Sequence, residues 1–293
     1  MKFNTGGLRS FTSIRMKLDS HQHFWRYNPE EYGWIDDAMA AIRRDFLPED
    51  LAPVAGSQGL DGTIAVQARQ TLEETRWLLG LASSQPMIRG VVGWVPLADS
   101  GLGRVFDEIA DRRLIGVRHV VQGESDPRFL EGEAFNEGIR TVTGLDLTYD
   151  LLIYANQLPA AVAFVDRHPR QRFVLDHIAK PRVEGKPPDS WRRQLTELAR
   201  RPNVYCKFSG VITEAPGWRW DLALLQPYFK VVLDAFGPRR LMFGSDWPVC
   251  LVGSTYARWF EAVNALAAGL SPEERARLMG ETAAEAYRIP PHW

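Results

Sequence analysis

Short apolar runs and longer amphipathic stretches take turns along almost the whole chain. The runs fall at residues 18–25, 62–68, 88–95, 114–120, 147–154, 172–176, 204–208 and 241–245. They are short and rich in branched residues, as strands buried on both faces are. Between most of them apolar residues recur at helical spacing. Thr71 opens a stretch with Thr75, Leu78, Leu79 and Ala82 on one stripe, and residues 102–112 put Val105, Phe106 and Ile109 inward. The same spacing joins Phe135, Ile139 and Val142; Leu158, Ala161, Val162 and Val165; Trp191, Leu195 and Leu198; and Leu224, Leu225, Tyr228 and Val232. Ser271-Pro272-Glu273-Glu274 reads as a capping box with proline at the first helical position, so the tail is helical. This alternation predicts a single-domain (β/α)8 TIM barrel with C-terminal helices. A doubly wound sheet also alternates, but Gly101-x-Gly103 lacks the third glycine of a phosphate cradle and reads as a helix entry.

Composition narrows the function classes. The chain has 293 residues, 45% hydrophobic and 24% charged, with a formal net charge of −1. A near-neutral balance without a long basic run argues against a nucleic-acid partner. No apolar run approaches the roughly 18 residues that span a bilayer. Two cysteines, Cys206 and Cys250, make no disulfide framework and are expected to be small packing residues in a reducing cytoplasm. Residues 1–16 carry Lys2, Arg9 and Arg15 and no apolar stretch, so they read as a loose leader, or as sequence before a start at Met16. The barrel is assigned to residues 17–293, as a monomer or homodimer.

Chemistry enters at the strand ends. His21 and His23 stand two apart in an extended segment, so they project to the same side about 6–7 Å apart at Cα. In a barrel the strand C-termini share one rim, which collects His21, His23, Gln67, Arg69, Trp94, Arg118, His119, Tyr154, Lys180, Lys207, His177 and Asp246. Trp25 and Trp94 stand where a sugar face could stack. His119 alternates with Arg118 and so points elsewhere. His168, before Pro169 at a helix end, is expected at the surface, and His292 has no assigned role.

The segments DSHQHFW, GVRH, VLDHIAKP, VYCKFSG and LMFGSDWPVC resemble the amidohydrolase superfamily. They are closest to its sugar-lactone and pyrone-dicarboxylate lactonases, with L-fucono-lactonase-like enzymes nearest. The resemblance covers about residues 17–288. It implies His21, His23, His177 and Asp246 as the catalytic group and Arg118 as a carbonyl or substrate contact. Metal-dependent relatives generally place a further ligand, a histidine or modified lysine, on strand four or five. Here strand five ends in Tyr154-Ala155-Asn156. A two-metal centre is therefore not expected. One zinc on His21, His23 and Asp246, or no metal, both stay open.

The expected reaction is hydrolysis of a sugar-derived lactone of the L-fucono-lactone kind. Asp246 would be the general base and later proton donor, His177 would stabilise the oxyanion, and the first-strand histidines with Arg118 or zinc would polarise the carbonyl. Trp25, Gln67, Arg69, Trp94, His119, Tyr154, Lys180 and Lys207 are the candidate substrate contacts. A 2-pyrone-4,6-dicarboxylate-type substrate is the alternative, with Arg69, Arg118 and Lys207 facing two carboxylates. Decarboxylation is a third, and a non-catalytic carbohydrate-binding barrel is the reading from another class.

Overall fold

The computed structural model describes residues 16–290, so most of the expected leader, and His292, lie outside the described residues. Eight parallel strands pair in sequence order: β1 Leu18–Gln22, β2 Gly62–Val66, β3 Ile88–Gly93, β4 Leu114–His119, β5 Thr148–Leu151, β6 Phe173–Leu175, β7 Val204–Phe208 and β8 Leu241–Phe243. The circle closes through side chains and strand ends of β1 and β8. Ser20 Oγ donates to Phe243 O at 2.6 Å, Asp246 N to His21 O at 2.8 Å and His23 N to Trp247 O at 2.6 Å. Helices follow the strands: α1 Pro48–Ser57, α2 Leu72–Ser84, α3 Leu102–Glu108, α4 Glu133–Gly144, α5 Leu158–Arg167, α6 Asp189–Ala199, α7 Leu222–Phe236 and α8 Tyr256–Leu266. Short helices α9 Pro272–Ala276 and α10 Thr282–Ala286 form the tail. The protein is a (β/α)8 barrel.

The core has two layers. Outward strand residues such as Tyr149, Leu151, Phe173, Phe208 and Phe243 pack against the helices. Inside the lower barrel, Leu18, Ile64, Val66, Val92, Val174 and Met242 meet Met16 and the tail residues Ala283, Ala286, Tyr287 and Ile289. Met16 therefore belongs with the barrel floor, although the sequence had grouped it with the leader. Thr148 Oγ1 donates to Ala286 O at 2.8 Å, tying the tail to β5.

Several elements differ from the sequence reading. α1 lies between the first two apolar runs, where no helical spacing is read from the sequence, because Pro48, Pro53 and Gly56 obscure its pattern. α8 follows the eighth strand in a stretch that carries no helical expectation from the sequence. The sixth and eighth strands stop at Leu175 and Phe243, and α3 ends at Glu108. His168 is not a surface residue: it is 5% exposed, and its Nε2 pairs with Asn136 Oδ1 at 2.7 Å. Burial lowers its pKa to about 4, so it is a neutral core histidine. Cys206 and Cys250 are buried, as expected.

No helix among the described residues is long and apolar enough to cross a membrane.

Candidate active site

Period-two alternation sends Thr148 and Asp150 on β5, Val174 and Asp176 through β6, and Tyr205 and Lys207 on β7 into the lumen. Above the apolar floor this produces a closed layer of charge. Lys207 Nζ donates to Asp150 Oδ2 at 2.5 Å and stands 3.0 Å from Asp176 Oδ1. Arg118 Nη1 donates to Asp176 Oδ2 at 2.9 Å, and Nη2 donates to Gln67 O. Tyr287 Oη donates to Asp150 Oδ1 at 2.7 Å. Lys207, Asp150 and Asp176 are fully buried and Arg118 nearly so. Two cations oppose two carboxylates, the condition under which buried charge is tolerated. Burial lifts Asp150 to about 6 against the pull of Lys207. Burial opposes ionisation of Asp176 too, but Lys207, His21 and Arg118 outweigh it and hold that acid low.

The reactive groups rest on this layer. His21 Nδ1 lies 3.1 Å from Lys207 Nζ, and its Nε2 lies 3.2 Å from His23 Nε2. His23 Nδ1 donates to Val66 O at 2.7 Å, so whenever the ring is neutral its Nε2 offers a lone pair. Asp246 Oδ1 stands 3.5 Å from His23 Nε2, 3.8 Å from His21 Nε2 and 4.0 Å from His177 Nε2. Ser209 Oγ lies 2.9 Å from His177 Nδ1; with the hydroxyl donating there, a neutral His177 carries its proton on Nε2, on the side of Asp246. Burial, only partly offset by Asp246, lowers His177 to about 4. Burial also keeps His21 neutral, with Lys207 adding to the effect. Asp246 ionises despite its burial, because His177, His23 and His21 hold it well below the usual carboxylate range.

Backbone conformation aims these groups. Residues 177–180 run through the left-handed region, with φ of 52° at His177 and 45° at Lys180, and Asp246 sits at 55°. Non-glycine residues adopt this region rarely, and such positions cluster at functional sites. Gly210, at φ 62°, is required where it stands. A Cβ there would lie 2.5 Å from His177 Nδ1 and 3.0 Å from Asp246 Oδ2.

Above lies a cavity of about 660 Å³, with His23, Arg118, His177 and Asp246 at its base. Of the candidate substrate contacts, Arg69 and Lys180 line it. Arg69 Nη1 pairs with Glu31 Oε2 at 2.6 Å. The other six do not line it. Trp25 is fully buried among Tyr32, Trp34 and Phe46, its indole N–H given to Arg44 O at 2.9 Å. Gln67 is also fully buried and donates to Arg118 O. Lys207 lies beneath His21, one side chain too deep. The Trp94 indole N–H reaches His119 Nδ1 at 3.4 Å, while His119 pairs with Glu124 at 2.6 Å and stacks on Phe129. Tyr154 is exposed outside, with Lys180 Nζ 6.0 Å from its ring. The wall includes residues that the sequence reading missed, among them Glu31, Trp34, Gln70, Gln122 and Thr213.

Glu74 anchors the loop that carries Arg69: its Oε2 accepts from Ala68 N at 3.0 Å and Arg69 N at 2.7 Å. Burial raises it to about 7. A carboxyl raised in the folded state contributes stability below its unfolded pKa and loses it as pH rises through 7. Between pH 5 and 8 the protein should lose roughly 2–3 kcal/mol through this group. Glu74→Gln should abolish that part of the decline. Urea unfolding of both proteins at the two pH values is the check.

The ligand atoms His21 Nε2, His23 Nε2 and Asp246 Oδ1 form a compact triangle. Its edges of 3.2, 3.5 and 3.8 Å suit tetrahedral zinc, whose bonds of ~2.1 Å set ligands roughly 3.4 Å apart. The donor set therefore fits one divalent ion.

An L-fucono-1,5-lactonase from Burkholderia multivorans is 42% identical, over 94% of this chain and 97% of its own length. An L-fucono-1,5-lactonase from Burkholderia ambifaria is 37% identical, with the same coverage. A crystal structure of an amidohydrolase from Burkholderia multivorans with bound zinc has a TM-score of 0.91 at 41% identity, covering 94% of this chain and 100% of that one. The amidohydrolase family model matches residues 18–289, from the first residue of β1 to the end of the tail helices. A match that takes in every strand and every site residue leaves one conclusion: the chain belongs to the amidohydrolase family.

Proposed function

We propose that the protein hydrolyses a sugar-derived aldonolactone, of the kind named by its L-fucono-1,5-lactonase relatives. The observation that carries this reading is the carboxylate of Asp246 held ionised at the base of a cavity whose wall mixes polar and apolar side chains, 4.0 Å from a neutral His177. In this reading Asp246 takes the proton of a water as that water attacks the lactone carbonyl. Negative charge developing on the carbonyl oxygen receives a hydrogen bond from His177 Nε2–H and lies in the field of Arg118. The tetrahedral intermediate collapses, the ring ester bond breaks, and Asp246 returns its proton to the departing alkoxide. Bound at His21, His23 and Asp246, a divalent ion would supply Lewis-acid polarisation. Glu31, Arg69, Gln70, Gln122 and Thr213 offer neutral and paired polar partners for ring hydroxyls, and Trp34 an exposed ring face.

The same features weigh against a pyrone dicarboxylate. Arg118 is held by Asp176 and Gln67 O, Arg69 by Glu31, and Lys207 is sealed below the site, so of the cavity's cations Lys180 is left to face two carboxylates. Glu31 would also face a dianion with like charge. A pH-indicator screen of aldonolactones beside 2-pyrone-4,6-dicarboxylate tests the choice, since each turnover releases one acid. Turnover of aldonolactones above the buffer rate is expected. Turnover of the pyrone alone would reverse the assignment.

One divalent ion per chain at most is expected, because Lys207 already fills the pocket between Asp150, Asp176 and His21. Elemental analysis of protein purified without chelator checks this. Two tightly held ions per chain would contradict it.

A further inference from the structure

His21 has one lone pair and two cations facing it. Lys207 Nζ lies 3.1 Å from Nδ1, and Arg118 Nη1 lies 3.3 Å from Nε2. A neutral imidazole carries its single proton on one nitrogen only. With the proton on Nε2, Lys207 donates to Nδ1, and Nε2–H donates to the His23 Nε2 lone pair at 3.2 Å. Arg118 then keeps only its bonds to Asp176 and Gln67 O. With the proton on Nδ1, the acceptor is Asp176 Oδ1, 3.4 Å away. That oxygen is buried, with Lys207 Nζ 3.0 Å away but no well-directed hydrogen bond from it. In this second form the Nε2 lone pairs of His21 and His23 face each other next to Asp246 Oδ1, which is the arrangement a metal ion requires. The first form has the shorter contacts and blocks the metal position with a proton.

We propose that Lys207 and Asp176 select the tautomer of His21, Lys207 favouring the metal-free form and Asp176 the metal-binding form. The pair thereby tunes the affinity of the site for a divalent ion. Both act as positioning residues, reaching the metal position only through His21. The proposal rests on the metal-site part of the proposed function and not on the identity of the substrate.

Lys207→Met combined with Asp150→Asn removes the competing donor and keeps the buried layer neutral. Long-range ¹⁵N–¹H spectra of metal-stripped, ¹⁵N-histidine-labelled protein, assigned with His21→Asn, report the tautomer directly. The wild type should show His21 protonated on Nε2, and the paired variant should show it on Nδ1. The zinc dissociation constant, measured by competition with a chromophoric chelator, should fall about tenfold or more in the paired variant. Asp176→Asn should leave the Nε2–H form in place and raise that constant about 10- to 100-fold. Its effect has the opposite sign, so it carries the test alone if the paired variant does not fold. Nδ1–H in the metal-free wild type would overturn the proposal. So would one tautomer common to the wild type and the paired variant, or equal zinc affinity in all the proteins. Zinc bound by none of them would overturn it together with the metal reading, while lactone turnover by the wild type would still be measurable.

Discussion

Asp246→Asn is expected to lower kcat on an aldonolactone by about 10²- to 10⁴-fold, roughly 3–5 kcal/mol of barrier. The carboxylate is the group at the cavity base placed to take a proton from water, and an amide cannot accept one there. KM should change much less, because the cavity wall above belongs to other elements. The backbone should tolerate the change, since Asp246 sits at φ 55° and asparagine enters that region readily. Melting temperature should therefore stay within a few degrees. The pH profile separates base loss from structural damage. In metal-free wild type the acid limb should fall near pH 4, where His177 gains a proton and pairs with Asp246, since Asp246 itself titrates lower. An Asn variant with wild-type kcat would remove Asp246 from the mechanism.

Lys207→Met alone should have the largest effect on stability. It leaves Asp150 without its ammonium and Asp176 with Arg118 alone, both fully enclosed. Breaking a buried ion pair from one side costs about 3–5 kcal/mol, a drop in melting temperature on the order of 10 °C for a domain of this size. Adding Asp150→Asn should restore at least half of the loss, because the orphaned carboxylate is then neutral and keeps an acceptor for Tyr287. Thermal unfolding of the single and paired variants measures both terms. A single variant melting within about 2 °C of wild type would mean that the buried layer is not the balanced unit inferred from its geometry.

The two variants also mark where sequence legibility stops. Strand and helix alternation specified the barrel, and strand ends specified a rim, so His21, His23, Arg118, His177 and Asp246 could be collected without coordinates. Depth within the lumen was not legible. Lys207 is one residue from the end of β7, yet it lies below His21 instead of in the cavity, and its partners Asp150 and Asp176 read as ordinary strand residues. Periodicity gives the face of a strand but not the layer, because the layer depends on register between strands. The first-strand loop posed a similar problem. Trp25 and Trp34 are equally aromatic, but the Trp25–Phe46 bridge turns the former inward and leaves the latter at the cavity. The left-handed turn at residues 177–180 carries no glycine to announce it. Tertiary contact imposes that turn, and local propensity alone would place a different structure there.

Ring opening itself is the most direct test. Purified protein and L-fucono-1,5-lactone, followed by NMR against a buffer control, should show lactone converted one for one into the open aldonate. The rate should exceed spontaneous hydrolysis by at least about 10³-fold, a modest enhancement for an enzyme. Conversion at the buffer rate, repeated across a panel of aldonolactones, would contradict the assignment of this site to lactone hydrolysis.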